Sequence, residues 1–178
     1  MTDGEARPGE ARHHHRKAAP ASVTAVVVTV SDTRTLETDT GGALVASELE
    51  AAGHRVVDRS IVPDEPTAIG AALDEGLVRD GVEAIVFTGG TGVAPRDVTP
   101  ETVEAKLERV VPGFGELFRM LSYEDIGPAA LLSRATAGLA RGRVVFVIPG
   151  SRGAVRLAME KLIVPEIGHL AGEARKTR

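Results

Sequence analysis

Cysteine is absent from the 178-residue chain, and so is tryptophan. Without Cys there is no disulfide frame, no thiolate-ligated zinc or iron–sulfur cluster and no thiol nucleophile. Aromatic residues make up only 3% of the chain, too few for the base-stacking platforms of single-strand nucleic-acid binders. Excess positive charge is lacking as well: 21 Lys and Arg stand against 25 Asp and Glu, a formal net charge of −4. A general nucleic-acid binder draws its affinity from a basic face that neutralises phosphates, so nucleic acid is not an expected partner. No apolar run approaches the ~18–20 residues of a membrane span, and the first twenty residues have no apolar core of the signal-peptide kind. A cytoplasmic protein without membrane contact is expected.

What is there is one domain. Residues 1–20 are polar, aperiodic and of mixed charge, and read as a disordered tail; His13, His14 and His15 lie in it without any fixed metal-binding geometry. Residues 21–174 carry alternating strand and helix signals. Val23 to Val30 is apolar on both alternations, as in a strand buried on both faces of a parallel sheet. Helical spacing follows over Gly42–Glu50 with Gly53 as a stop, then a strand over His54–Val62 and a helix opened by Pro66. A third strand spans Val82–Phe87. Thr99-Pro100-Glu101 opens a helix expected to run to about Val110, broken by Pro112, with another over Glu116–Ser122. Ala137–Ala140 and Val144–Ile148 read as a hairpin turning at Arg141-Gly142. A last amphipathic helix, from Val155 to Leu170, contains Pro165, a kink or division point. The order predicts an α/β three-layer sandwich around a mostly parallel sheet.

In such sheets ligands bind beyond the carboxyl ends of the strands. Four polar segments fall there: Ser31-Asp32, Pro63-Asp64-Glu65, Thr88 to Asp97, and Pro149-Gly150-Ser151. The loop Thr88-Gly89-Gly90-Thr91-Gly92 lets backbone N–H groups approach an anion, yet it matches neither the P-loop nor the dinucleotide fingerprint. Asp97 suits either a Mg²⁺ ligand near phosphate or a helix cap, and Asp64 either a ligand or a turn residue. Ser151 suits an anion site or a plain N-cap. Arg96, Arg119, Arg134 and Arg152 are candidate phosphate forks. Leu131-Leu132 and the Phe114/Phe118 pair are expected in the core.

Taken together, Thr88–Gly92, Arg96-Asp97-Val98-Thr99-Pro100-Glu101, Pro112-Gly113-Phe114-Gly115-Glu116, Ser133-Arg134 and Pro149-Gly150-Ser151 resemble the MogA/MoaB family of molybdenum cofactor biosynthesis proteins. The resemblance covers about residues 22–172, and the segment Phe118–Gly127 looks more like the MoaB branch. It implies molybdopterin adenylyltransferase activity: molybdopterin plus ATP gives adenylyl-molybdopterin and pyrophosphate, with Mg²⁺. Asp64 and Asp97 align with the family's two functional acids, as catalytic and metal-positioning residues. Gly89, Gly90, Thr91 and Gly92 would hold nucleotide phosphate. Ser31, Asp32, Pro149, Gly150 and Ser151 would line a shared nucleotide and pterin pocket, with Thr99, Glu116, Ser133 and Arg134 also among the binding residues. The resemblance further implies a homo-oligomer, trimer or hexamer, and a molybdate-inserting MoeA-type partner. A molybdopterin-binding protein without catalysis is the alternative; a domain of the competence-damage type acting on a nucleotide is a second, which the short chain disfavours.

Overall fold

A computed structural model describes residues 20–176. The expected tail, with His13–His15, therefore lies outside the described residues but for Pro20. The elements in chain order are β1 (Thr24–Val30), α1 (Thr40–Ala51), β2 (Arg55–Val62), α2 (Pro66–Val78), β3 (Ala84–Thr88), α3 (Thr99–Glu104) and β4 (Arg109–Val110). Then come α4 (Pro112–Ile126), a 3₁₀ turn (Gly127–Leu132), β5 (Thr136–Ala140), β6 (Arg143–Ile148), α5 (Arg152–Ala158), a π-helical turn (Met159–Ile163) and α6 (Val164–Ala174).

The strands form one sheet in the order β2-β1-β3-β6-β5-β4. β2, β1, β3 and β6 run parallel; β5 pairs antiparallel to β6, and β4 antiparallel to β5 at that edge. Alternation along the central strands divides the core in two. Ala25, Val27, Val86, Phe146 and Ile148 meet Val45, Leu49, Phe118, Val155, Ile163 and Ile167, so α1, α4, α5 and α6 cover one face. Val26, Val28, Ile85, Phe87 and Val147 meet Ile69, Leu73, Leu77 and Val103, so α2 and α3 cover the other. The layers are the three-layer sandwich expected from double-sided apolar strands.

Several boundaries differ from expectation for local reasons. α3 stops at Glu104 because Arg109 and Val110 leave the helix to pair with Leu139 and Gly138 of β5. Pro112 starts α4 instead of ending a helix: at a first-turn position its missing N–H costs nothing. As expected, the last helical stretch is divided at Pro165, which sits in the first turn of α6. The chain widens into a π turn just before it, with the Val164 N–H donating to the Met159 carbonyl. Arg141 (φ 47°) and Gly142 (φ 73°) both turn left-handed between β5 and β6, the signature of a tight hairpin. Phe114 and Phe118 are core, but Leu131 and Leu132, expected there, are 80% and 57% exposed on the 3₁₀ turn.

Candidate active site at the β1–β3 switch point

From β1 the chain passes to β2 on one side and then returns to β3 on the other, so a crevice opens between the carboxyl ends of β1 and β3. Because β1, β2, β3 and β6 are parallel, all four expected polar segments emerge at this rim.

Gly89 and Gly90 shape the loop after β3. Both are left-handed, at φ +105° and +61°. A Cβ on Gly89 would lie 2.3 Å from the Val30 carbonyl oxygen, so only Gly lets this loop lie against the end of β1. The Gly89 N–H donates to the Ile148 carbonyl at 3.0 Å, and the Thr88 hydroxyl to the Pro149 carbonyl at 3.2 Å, which ties the loop to the end of β6. Among the described residues the N–H groups of Gly90, Thr91 and Gly92 donate to no protein acceptor. They form the part of the loop free to hold an anion, and Gly89 contributes shape instead.

The acids converge as the topology requires. Asp32, after β1, accepts the Asp64 backbone N–H on Oδ1 at 3.1 Å. Its Oδ2 accepts from Arg96 Nε at 3.0 Å and Nη2 at 2.7 Å, so one carboxylate joins the loops after β1, β2 and β3. Asp64 Oδ1 is buried and has no hydrogen-bond partner. Burial raises the Asp64 carboxyl above the ordinary carboxylate range, the Asp32 and Asp97 charges raise it further, and the Arg96 cation pulls it back. Thr99 Oγ1, fully buried, is likewise unpartnered. Both orphan oxygens press on Gly90: a Cβ there would sit 2.2 Å from Thr99 Oγ1 and 2.3 Å from Asp64 Oδ1.

Asp97 does not cap α3, and Thr99, expected to open that helix, does not cap it either. The N-cap of α3 is Val98, with no side-chain bond, and Thr99 already lies inside the helix. Asp97 instead folds its own loop, accepting the Ala94 N–H on Oδ2 at 2.9 Å, and its carboxylate lies against Gly92. Ser151, by contrast, is the N-cap of α5, accepting the Ala154 N–H at 3.3 Å.

The remaining expected residues divide between two hollows with no lining residue in common. Ser31, Gly89 and Gly150 line a pocket of about 150 Å³ with Thr29, Asp39 and Thr88. Glu116, Ser133 and Arg134 line a cleft of about 490 Å³ with Glu101 and Arg119, a volume in the range of small-molecule sites. Pro149 accepts the Thr88 hydroxyl on its carbonyl. Sequence reasoning did not single out Asp39, which is 4% exposed and accepts from Thr29 Oγ1 at 2.8 Å, Arg59 Nη2 at 3.1 Å and the Gly42 N–H at 2.8 Å. Its position just before a Gly-rich helix start was the available signal. No group of three or more His, Asp or Glu able to hold a metal ion occurs among the described residues. A Mg²⁺ held by two carboxylates and completed by substrate phosphates needs no such group, and the unpaired Asp64 oxygen fits it. No described helix is long and apolar enough to cross a membrane.

Comparison with known proteins gives this arrangement its class. Residues 26–169 match the family described as a probable molybdopterin binding domain. Over 165 residues the chain is 50% identical to molybdenum cofactor biosynthesis protein B of Halalkalibacterium halodurans, spanning 92% of this chain and 97% of that protein. A crystal structure of a molybdenum cofactor biosynthesis protein B superposes with a TM-score of 0.86 at 50% identity, covering 89% of this chain and 99% of that one. The tungsten cofactor synthesizing protein MoaB from Pyrococcus furiosus superposes at 0.80 with 38% identity, covering 89% of this chain and 100% of that one. The chain belongs to the MoaB family of molybdenum cofactor biosynthesis proteins.

Proposed function

We propose that this protein is a molybdopterin adenylyltransferase. The observation that carries the reading is Asp64, whose buried Oδ1 lacks a partner beside two further carboxylates. Leaving a buried acceptor unpaired costs on the order of 1–3 kcal/mol, and core packing does not call for it. A cation at Asp64 and Asp97 resolves both the orphan oxygen and the mutual repulsion of the acids.

In the reaction, an oxygen of the molybdopterin phosphate forms a bond to the α-phosphorus of ATP. The bond from that phosphorus to the oxygen bridging to the β-phosphate breaks, and pyrophosphate leaves with the electron pair. Phosphoryl-type transfers depend on alignment and charge neutralisation, so the lack of a Cys or an activated Ser is no obstacle. Mg²⁺, when bound, offsets charge on the triphosphate and on the departing pyrophosphate. Asp64 and Asp97 would hold it, the free N–H groups of Gly90, Thr91 and Gly92 would receive phosphate oxygens, and Asp32 with Arg96 keeps the loops in register.

The test is an anaerobic incubation of purified protein with molybdopterin, ATP and Mg²⁺, following adenylyl-molybdopterin by chromatography beside Asp97→Asn. Product from the wild type, with ~100–1000-fold less from the variant, supports the reading. Molybdopterin binding without product overturns it in favour of a non-catalytic binder.

A further inference from the structure

Arg134 was expected among the residues that grip substrate. Its surroundings assign its donors elsewhere. The side chain enters from the 3₁₀–β5 junction and is only 29% exposed. Nε donates to the Thr91 carbonyl at 3.3 Å, Nη2 donates to the Asp97 carbonyl, and Nη1 pairs with Glu101. All three guanidinium nitrogens are engaged with the protein. A bidentate hold on phosphate needs a free edge of the fork, and the Nε–Nη2 edge is taken by two backbone carbonyls.

Those carbonyls are not free to turn away. The loop from Gly90 to Thr99 is closed by its own bonds: Thr99 N–H to the Gly90 carbonyl at 3.1 Å, Asp97 N–H to the Ala94 carbonyl at 2.9 Å, and Ala94 N–H to Asp97 Oδ2 at 2.9 Å. The same loop is also tied to the end of β1 by Arg96 on Asp32.

We propose that Arg134 is a positioning residue, fixing the backbone of Thr91 and Asp97 from behind so that the Asp97 carboxylate and the anion-holding N–H groups face the crevice, and that it is not itself a ligand of either substrate. The inference rests on the adenylyl-transfer reading for its kinetic arm. Lysine offers one ammonium and cannot span both carbonyls, so Arg134→Lys recovers part of the function and Arg134→Ala none of it. Displacement of a reacting group by about 1 Å costs on the order of 100-fold.

The experiment compares wild type, Arg134→Lys and Arg134→Ala. We expect kcat to fall about 100-fold in Arg134→Ala and about 10-fold in Arg134→Lys, with KM for ATP and for molybdopterin within about 3-fold of wild type. A KM raised tenfold or more for either substrate with kcat retained would overturn the proposal and make Arg134 a ligand. Amide hydrogen exchange on the protein without substrates supplies the second arm. The Ala94 N–H, which reports the Asp97 loop, should lose protection in Arg134→Ala and regain part of it in Arg134→Lys, and unchanged exchange in both contradicts the brace. This arm holds even if the wild type proves inactive, so failure of the brace and failure of the adenylyl-transfer reading are told apart. If Arg134→Ala does not fold, Arg134→Lys is read alone by the same two criteria.

Discussion

Asp32 holds the backbone of Asp64: its Oδ1 accepts the Asp64 N–H at 3.1 Å while its Oδ2 is gripped by Arg96. One consequence is that Asp64 is fixed close to another negative charge, with a third at Asp97 and one Arg to offset them. The fold therefore keeps an ionised Asp64 at a cost in stability.

That cost has a sign that melting curves can read. The folded state raises the Asp64 carboxyl above its unfolded value, so its contribution is most favourable below the unfolded value and is lost as pH rises through the folded one. Asp64→Asn removes the charge. The variant should melt above wild type at pH 7, with the difference closing towards pH 4, while turnover falls ~100–1000-fold. Thermal denaturation across that range, beside the adenylylation assay, checks both halves.

Gly90→Ala should destabilise the protein by about 1–3 kcal/mol through its left-handed backbone, and more through contact. The added Cβ would meet Thr99 Oγ1 at 2.2 Å and Asp64 Oδ1 at 2.3 Å. Gly81→Ala is the control, since Gly81 has φ +75° but nothing within 4 Å of a built Cβ. Denaturant titration should show a larger loss at 90 than at 81, and activity should vanish only at 90.

His54 predicts a second pH effect, far from the crevice. Its Nδ1 accepts the Val23 N–H at 3.2 Å, and burial lowers its pKa, so the fold prefers the neutral ring. Stability from this contact is present above the unfolded value near 6.5 and lost as pH falls through the lowered one. The melting temperature of wild type should therefore fall more between pH 7 and pH 5 than that of His54→Gln.

Phe146 is fully buried with its ring centroid 5.4 Å from that of Phe114. Phe146→Ala should cost about 3–5 kcal/mol in denaturant titrations. Leu131→Ala, at an 80% exposed position, should stay within about 0.5 kcal/mol of wild type.

The parallel sheet was legible because β1, β3 and β6 are apolar on both alternations, which placed Ser31, Gly89 and Pro149 at one rim. Asp64 joined them only through reading the more polar Arg55–Val62 as a neighbouring parallel strand. Periodicity could not show that Arg109 and Val110 abandon α3, since that pairing is made with a strand some thirty residues further on. Nor could it separate Asp97 from a cap. The deciding bonds, Asp97 to Ala94 and Arg134 to the Asp97 carbonyl, depend on how one loop closes and on a side chain from β5's edge. The Asp32–Arg96 link spans 64 positions and leaves no local trace. The exposure of Leu131 and Leu132 leaves no trace in the sequence, because apolar character says nothing of which side of a short 3₁₀ turn faces the core.

The central claim is which bond of ATP breaks, and labelled phosphate reads that directly. With molybdopterin and Mg²⁺, ATP labelled at the α-phosphate should pass its label into the pterin product, and ATP labelled at the γ-phosphate should release its label as pyrophosphate. Retention of the α-label in ATP, or release of the γ-label as inorganic phosphate with none in pyrophosphate, would contradict the account.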